Sequence, residues 1–167
     1  MIMKTTQKQQ EAWFGIDSIH GRYQFGRDDG PENGVVLPTQ MISIVESCYC
    51  IFKPERLFVH RSCASDFLIR NCFVGCEAGP FVNQEPIIAE PFAVDFDALT
   101  MIKWEELAIE KKNKPILITI ERKGTEFFGA PFPCPTFHPG LQLTFTVENI
   151  GMMPRRFLGA FLGRTLV

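Results

Sequence analysis

The residues of this chain best equipped for chemistry are its six cysteines, at positions 48, 50, 63, 72, 76 and 134, and its three histidines. A structural zinc site takes close pairs such as C-x2-C followed by a second pair. Here the spacings are C-x-C at Cys48 and Cys50 and C-x3-C at Cys72 and Cys76, while His20, His60 and His138 stand singly. That spacing builds no zinc cluster, so no metal and no other cofactor is expected. The thiols read instead as small apolar residues in strands. His60 and Cys63 lie three residues apart, close enough to suggest a nucleophile and its base. Sequence neighbours rarely supply a triad, however, and no G-x-S-x-G motif accompanies them. His138, between Phe137 and Pro139, reads as a loop residue. The carboxylates Asp95, Asp97, Glu105 and Glu106 have the chemistry for glycoside hydrolysis. With two Trp and two Tyr in the chain, a sugar-stacking array is missing and solvated faces are the simpler reading. Residues 13–34 are dense in glycine, yet no G-K-[ST] closes a phosphate loop. Asp29-Gly30-Pro31 and Asn33-Gly34 are turn chemistry. No catalytic activity is expected.

Two groups of residues remain as candidates for binding. Arg155, Arg156 and Arg164 lie within ten residues, and Glu148 is the only acid in the last 28. Guanidiniums so placed suit phosphate or a partner's carboxylates; solvent-facing arginines on a strand turn are the plainer alternative. Phe128, just ahead of "GAPFPCPTFHPG", and Phe132 and Phe137 within it make a loop apolar enough to mark a subunit interface. The alternative is a loop folded over the end of the domain.

The elements that must position these residues are strands. At 167 residues the chain is long enough for one domain with a real core. Residues 1–12 are polar and without periodicity, and read as an N-terminal arm; residues 13–167 read as the domain. Ile116, Ile118 and Ile120 alternate with Leu117 and Thr119. Leu141, Leu143, Phe145 and Val147 alternate with Gln142, Thr144 and Thr146. Pro54 interrupts a strand run, which implies an edge or a bulge. Asn149 and Gly151 form a turn ahead of Pro154. Beyond it Gly159 and Gly163 share a face with Phe157 and Phe161. Residues 97–112 suit either helix or strand, with strand preferred. The sum is about eight short strands in an all-β antiparallel sandwich. A net charge of −2 argues against a wholly nucleic-acid-coated surface. No apolar run is long enough to cross a membrane as a helix, and the N-terminal residues carry no secretory signal.

The segments "FKPERLFV", "SDFLIRNCFVG", "HPGLQLTFTVENIG" and "RRFLGAFLGRTL", behind a polar arm and a proline-rich loop, resemble the single jelly-roll coat proteins of viruses, including small bacteriophage capsid proteins. The resemblance is one of pattern over residues 35–167. It implies a jelly-roll sandwich that assembles with copies of itself and with other virion proteins. Nucleic acid would be reached through the arm or the tail arginines. The location it implies is the virion, assembled in the host cytoplasm. Jelly rolls also serve as carbohydrate- or receptor-binding modules and as cupin enzymes. Isolated histidines disfavour the cupin, and an aromatic set dominated by Phe disfavours the lectin.

Overall fold

Alternating burial shows why the longest segments are strands. In residues 41–47 Ile42 and Ile44 are buried between half-buried Met41, Ser43 and Val45. In residues 142–149 Leu143, Phe145, Val147 and Asn149 point inward, the pattern of a sheet with one face on a core. A computed structural model of the chain describes residues 9–23, 31–48, 50–78, 85–94, 117–119 and 130–166. In chain order the strands are β1 (Gln9–Asp17), β2 (Gly21–Tyr23), β3 (Val35–Val36), β4 (Met41–Ser47), β5 (Phe52–His60), β6 (Phe67–Val74) and β7 (Glu77–Ala78). They continue as β8 (Ile87–Ile88), β9 (Ala93–Val94), β10 (Leu117–Thr119), β11 (Ala130–Pro131), β12 (Gln142–Asn149), β13 (Arg155–Arg156) and β14 (Leu158–Leu166). Among the described residues eight strands run three residues or more. The two-residue pieces are too short for alternation to register in the sequence.

The first sheet has the order β10-β1-β14-β5-β11, with β9 also beside β5; the second has β2-β4-β12-β6-β7, with β8 also beside β6. β3 and β13 form a separate two-stranded sheet. Every pairing is antiparallel except that of β5 with β9. The long strands nest. β1 lies against β14 and β4 against β12, while β5 takes the other side of β14 and β6 the other side of β12. The last two long strands are therefore interior strands, one in each sheet.

Phenylalanines join the two sheets into a sandwich. Phe145 of β12 meets Phe161 of β14 edge-on at 5.9 Å, and Phe67 of β6 meets Phe157 at 5.2 Å. β14 is buried on both faces, with Phe161 in the core and Leu158, Ala160 and Leu162 covered on the other side. A single helical turn, α1 (Arg61–Ala64), links β5 to β6. Its first N–H groups are met by His60, whose Nδ1 accepts from the Ser62 N–H at 3.1 Å.

β1 begins at Gln9, so it takes in the last four residues of the segment read as an arm. Residues 97–112 lie outside the described residues. Pro54 sits at a break in register: Leu162 is opposite Arg56 and Gly163 opposite Pro54, so Glu55 is skipped. This is a bulge. It brings the β5 backbone close to β14, and a Cβ on Gly163 would stand 2.0 Å from the Lys53 carbonyl oxygen. Backbone cannot give way as a flexible side chain can. Gly163→Ala is expected to lower stability by about 1–3 kcal/mol, read as an earlier midpoint in urea unfolding; an unchanged midpoint would contradict this packing.

Candidate functional site

The proline-rich loop is clipped to β5 at two points. The Phe132 N–H donates to the Glu55 carbonyl at 3.2 Å, and Phe137 exchanges both main-chain hydrogen bonds with Phe52, at 2.7 and 3.1 Å. Phe132 packs on Phe92 and Phe161, at 5.8 and 5.7 Å; Phe137 packs on Phe14 and Phe161, at 4.9 and 5.7 Å. Both side chains are 1% exposed or less. They were candidates for a subunit interface, but they lie inside this chain's own core rather than on a face open to a partner. The reason is the clip: anchoring residues 132 and 137 to the sheet edge turns the rings inward. Phe128 lies outside the described residues.

The three tail arginines are not brought together. Arg155 and Arg156 are on β13, whereas Arg164 lies eight residues of extended chain further on, about 26 Å from Arg156. Each meets a carboxylate from a distant part of the sequence. Arg155 Nε is 3.0 Å from Asp66, Arg156 Nε is 3.3 Å from Asp17, and Arg164 Nε is 3.4 Å from Glu55. Glu148, their only local counter-charge in sequence, pairs instead with Arg70, whose Nε donates at 2.7 Å. The Arg156 pair is of a different kind from the Arg164 pair. Asp17 has a side chain only 2% exposed, and its Oδ1 also accepts from the Ile19 N–H at 2.8 Å. Arg164 and Glu55 are both solvated.

A polar knot surrounds Asp17. The Ser18 hydroxyl donates to the Gly34 carbonyl and accepts from the Phe157 N–H at 2.9 Å. Asn149, fully buried, donates from Nδ2 to the carbonyls of Val36 and Met153, at 2.9 and 3.0 Å. Its Oδ1 accepts from the Gly151 N–H at 2.9 Å, closing the turn that Asn149 and Gly151 suggest. These bonds tie β3, β13 and residues 150–154 to one end of the sandwich. On that end Val35, Leu37, Ile150, Met152 and Met153 are exposed; Met152 is 94% and Met153 59% accessible. Pairing of Arg155 with Val36, and donation from Thr39 N–H to the Asn149 carbonyl at 2.8 Å, make the two segments neighbours. Exposed apolar side chains gathered on one end make it a candidate interaction surface. Sequence reading missed it, because the segments are more than a hundred residues apart and only the pair Met152-Met153 hints at it.

Cys63 and His60 each make contacts of their own. Cys63 Sγ donates to the main-chain carbonyls of His60 and Leu158, at 3.4 and 3.9 Å, while the His60 ring is turned to Ser62 at 2.6 Å. Burial pushes the Cys63 thiol from its ordinary value near 9 up to about 11. Cys48 is likewise pushed up to about 11, by burial first and then by the neighbouring Cys50 and Cys134. His138 is exposed in the loop. Among the described residues no three His, Cys, Asp or Glu side chains are grouped to hold a metal ion, and no helix is long and apolar enough to cross a membrane. Comparison of the chain with protein-family models, with curated proteins and with solved structures returns no match.

Removing the Arg156 side chain leaves a buried carboxylate without its cation, so Arg156→Ala should destabilise by about 3 kcal/mol. Arg164→Ala should stay within about 0.5 kcal/mol of the parent. Denaturant titration of both variants decides, and equal losses would contradict the distinction. The thiols add a pH dependence. In the unfolded chain Cys48 and Cys63 ionise near 9, in the folded chain near 11. Above pH 9 the unfolded state releases protons that the folded state keeps, so stability is full below that point and falls as pH rises through 11. The urea midpoint should decline across this window; a flat profile would contradict the assignment.

Proposed function

We propose that this chain is a jelly-roll subunit that self-assembles as a structural component of a virus or phage particle. The fold part of the reading draws on the nested strand order, in which β14 is inserted between β1 and β5 of one sheet and β12 between β4 and β6 of the other. Late strands inserted between earlier ones in both sheets support the jelly-roll reading, because a double Greek key nests its strands in this manner. The likeness of the strand segments to viral coat proteins supplies the particle. Fold alone does not assign function, so assembly rests on a separate observation. That observation is the apolar end formed by Val35, Leu37, Ile150, Met152 and Met153, exposed on a base of buried hydrogen bonds. Methionine is suited to such contacts, being unbranched and adaptable. The partner on this end is a second copy of the chain. Arg155 and Asp66, at its rim, add a polar border of the usual kind. Because each tail arginine already meets a carboxylate of its own chain, contact between subunits is a better use of this region than binding phosphate.

Size-exclusion chromatography with light scattering, followed by electron imaging, tests the proposal. The purified chain should give oligomers or closed particles. A Met152→Glu, Met153→Glu double variant should shift towards monomer with an unchanged circular dichroism spectrum. A parent chain that stays strictly monomeric at high concentration overturns the reading, and specific binding on a glycan array would favour a carbohydrate-binding sandwich instead.

A further inference from the structure

Two thiols from distant parts of the chain meet where the proline-rich loop runs beside β5. Cys72 lies on β6 opposite Phe145, with its side chain fully buried in the core. Its Sγ is 3.7 Å from Sγ of Cys134. Cys134 is half-buried, in the stretch between the two clips that hold the loop to β5 through Phe132 and Phe137. By its backbone Cys134 therefore belongs to the edge of the first sheet, while its sulfur touches a strand of the second. Cys48 and Cys50 stand in the same neighbourhood, near enough for Cys134 to act on the Cys48 thiol. All six cysteines are free. Of the neighbouring thiols, Cys72 is the one whose sulfur lies at hydrogen-bond distance from Cys134.

We propose that Cys72 and Cys134 form a reversible disulfide that joins the two sheets when the chain meets a small disulfide oxidant such as oxidised glutathione. Accessibility sets the order of events. Cys72 is sealed from solvent, so the Cys134 thiolate attacks first. The sulfur–sulfur bond of the oxidant breaks, one glutathione leaves as thiolate and takes the proton that Cys134 gave up, and a mixed disulfide forms on Cys134. Cys72 then loses its proton and attacks Cys134 Sγ. The mixed disulfide breaks, and the second glutathione departs with that proton. Two protein thiols are oxidised and one glutathione disulfide is reduced to two thiols, so atoms and electrons balance. The cross-link spans 62 residues of chain and removes much of the freedom of the unfolded state. It acts as a latch on the side of the sandwich where β5 and β6 meet the loop. The latch is independent of the assembly reading and holds for a monomer as well as for an oligomer.

The test uses the full chain, incubated with oxidised glutathione, alkylated under denaturing conditions and mapped as peptides without reduction. The expected product is one peptide pair joining Cys72 to Cys134, with two of the six thiols no longer alkylated. Its melting temperature should exceed that of the reduced chain by about 5–15 °C, and a dithiol reductant should reverse the rise. Cys134→Ser, a change in a half-buried loop, should leave the reduced protein folded and abolish the rise; Cys72→Ala reads the same bond from its buried side. Linkage of Cys134 to Cys48 or Cys50, a glutathione adduct that persists on Cys134, or full alkylation of both thiols after oxidation would each overturn the proposal.

Discussion

The structure turns on the ring of Phe161. It lies within 6 Å, centre to centre, of Phe132 and Phe137 from the proline-rich loop and of Phe145 from the opposite sheet. Edge-on and tilted contacts of this kind use the ring quadrupole as well as the area removed from water. Large rings need space around them, and on either side of Phe161 that space comes from Gly159, beside the Phe157 ring, and Gly163, beside the Phe52 ring. At Gly163 the bulge at Pro54 presses backbone against backbone, leaving no room for a side chain. Ring, glycine and proline are thus one arrangement. Because β14 lies between β1 and β5, the first sheet has no centre until the end of the chain is in place. Its stability depends on contacts between residues far apart in sequence, which are slow to form and costly to lose.

The polar knot at one end of the sandwich works by the opposite principle. Asp17, Ser18 and Asn149 are buried, and buried polar groups are tolerated where hydrogen bonds replace water. Their partners are mostly main-chain groups of Gly34, Val36, Phe157 and the turn before β13. The knot therefore holds a turn that has few apolar residues facing inward. That leaves its methionines outward, where they are exposed. The firmness of the base and the exposure of the surface have one cause: hydrogen bonds hold the segment in place, so its apolar side chains are not needed to anchor it.

The cysteines illustrate how position decides chemistry. Cys63 points at carbonyl oxygens and is kept protonated by burial, so its nearness to His60 in sequence has no counterpart in the orientation of the two side chains. Cys72 is also held protonated, first by its hydrogen bond with Cys134 and then by burial. A thiol in that state is unreactive towards solvent reagents, yet well placed to resolve a bond made by its neighbour.

Much of this was legible in the sequence wherever the signal is local. Alternation over 141–147 and 116–120 identified strands, found at Gln142–Asn149 and Leu117–Thr119. Pro54 announced an edge or a bulge, of which the structure has the bulge, and Asn149 with Gly151 announced a turn. The glycine–phenylalanine spacing announced a close-packed last strand. Each depends on backbone geometry within a few residues, which residue type constrains directly. The tertiary structure alone decided which strands are neighbours and which way a loop faces. It turned Phe132 and Phe137 into the core and gave Arg155, Arg156 and Arg164 the partners Asp66, Asp17 and Glu55. It also brought Cys134 to Cys72 and gathered Val35, Leu37 and Met152 on one end. The physical reason is common to all of them. Burial and pairing are properties of surfaces that meet only after the chain has folded back on itself, and a linear pattern carries the period of a strand but not the identity of its neighbour.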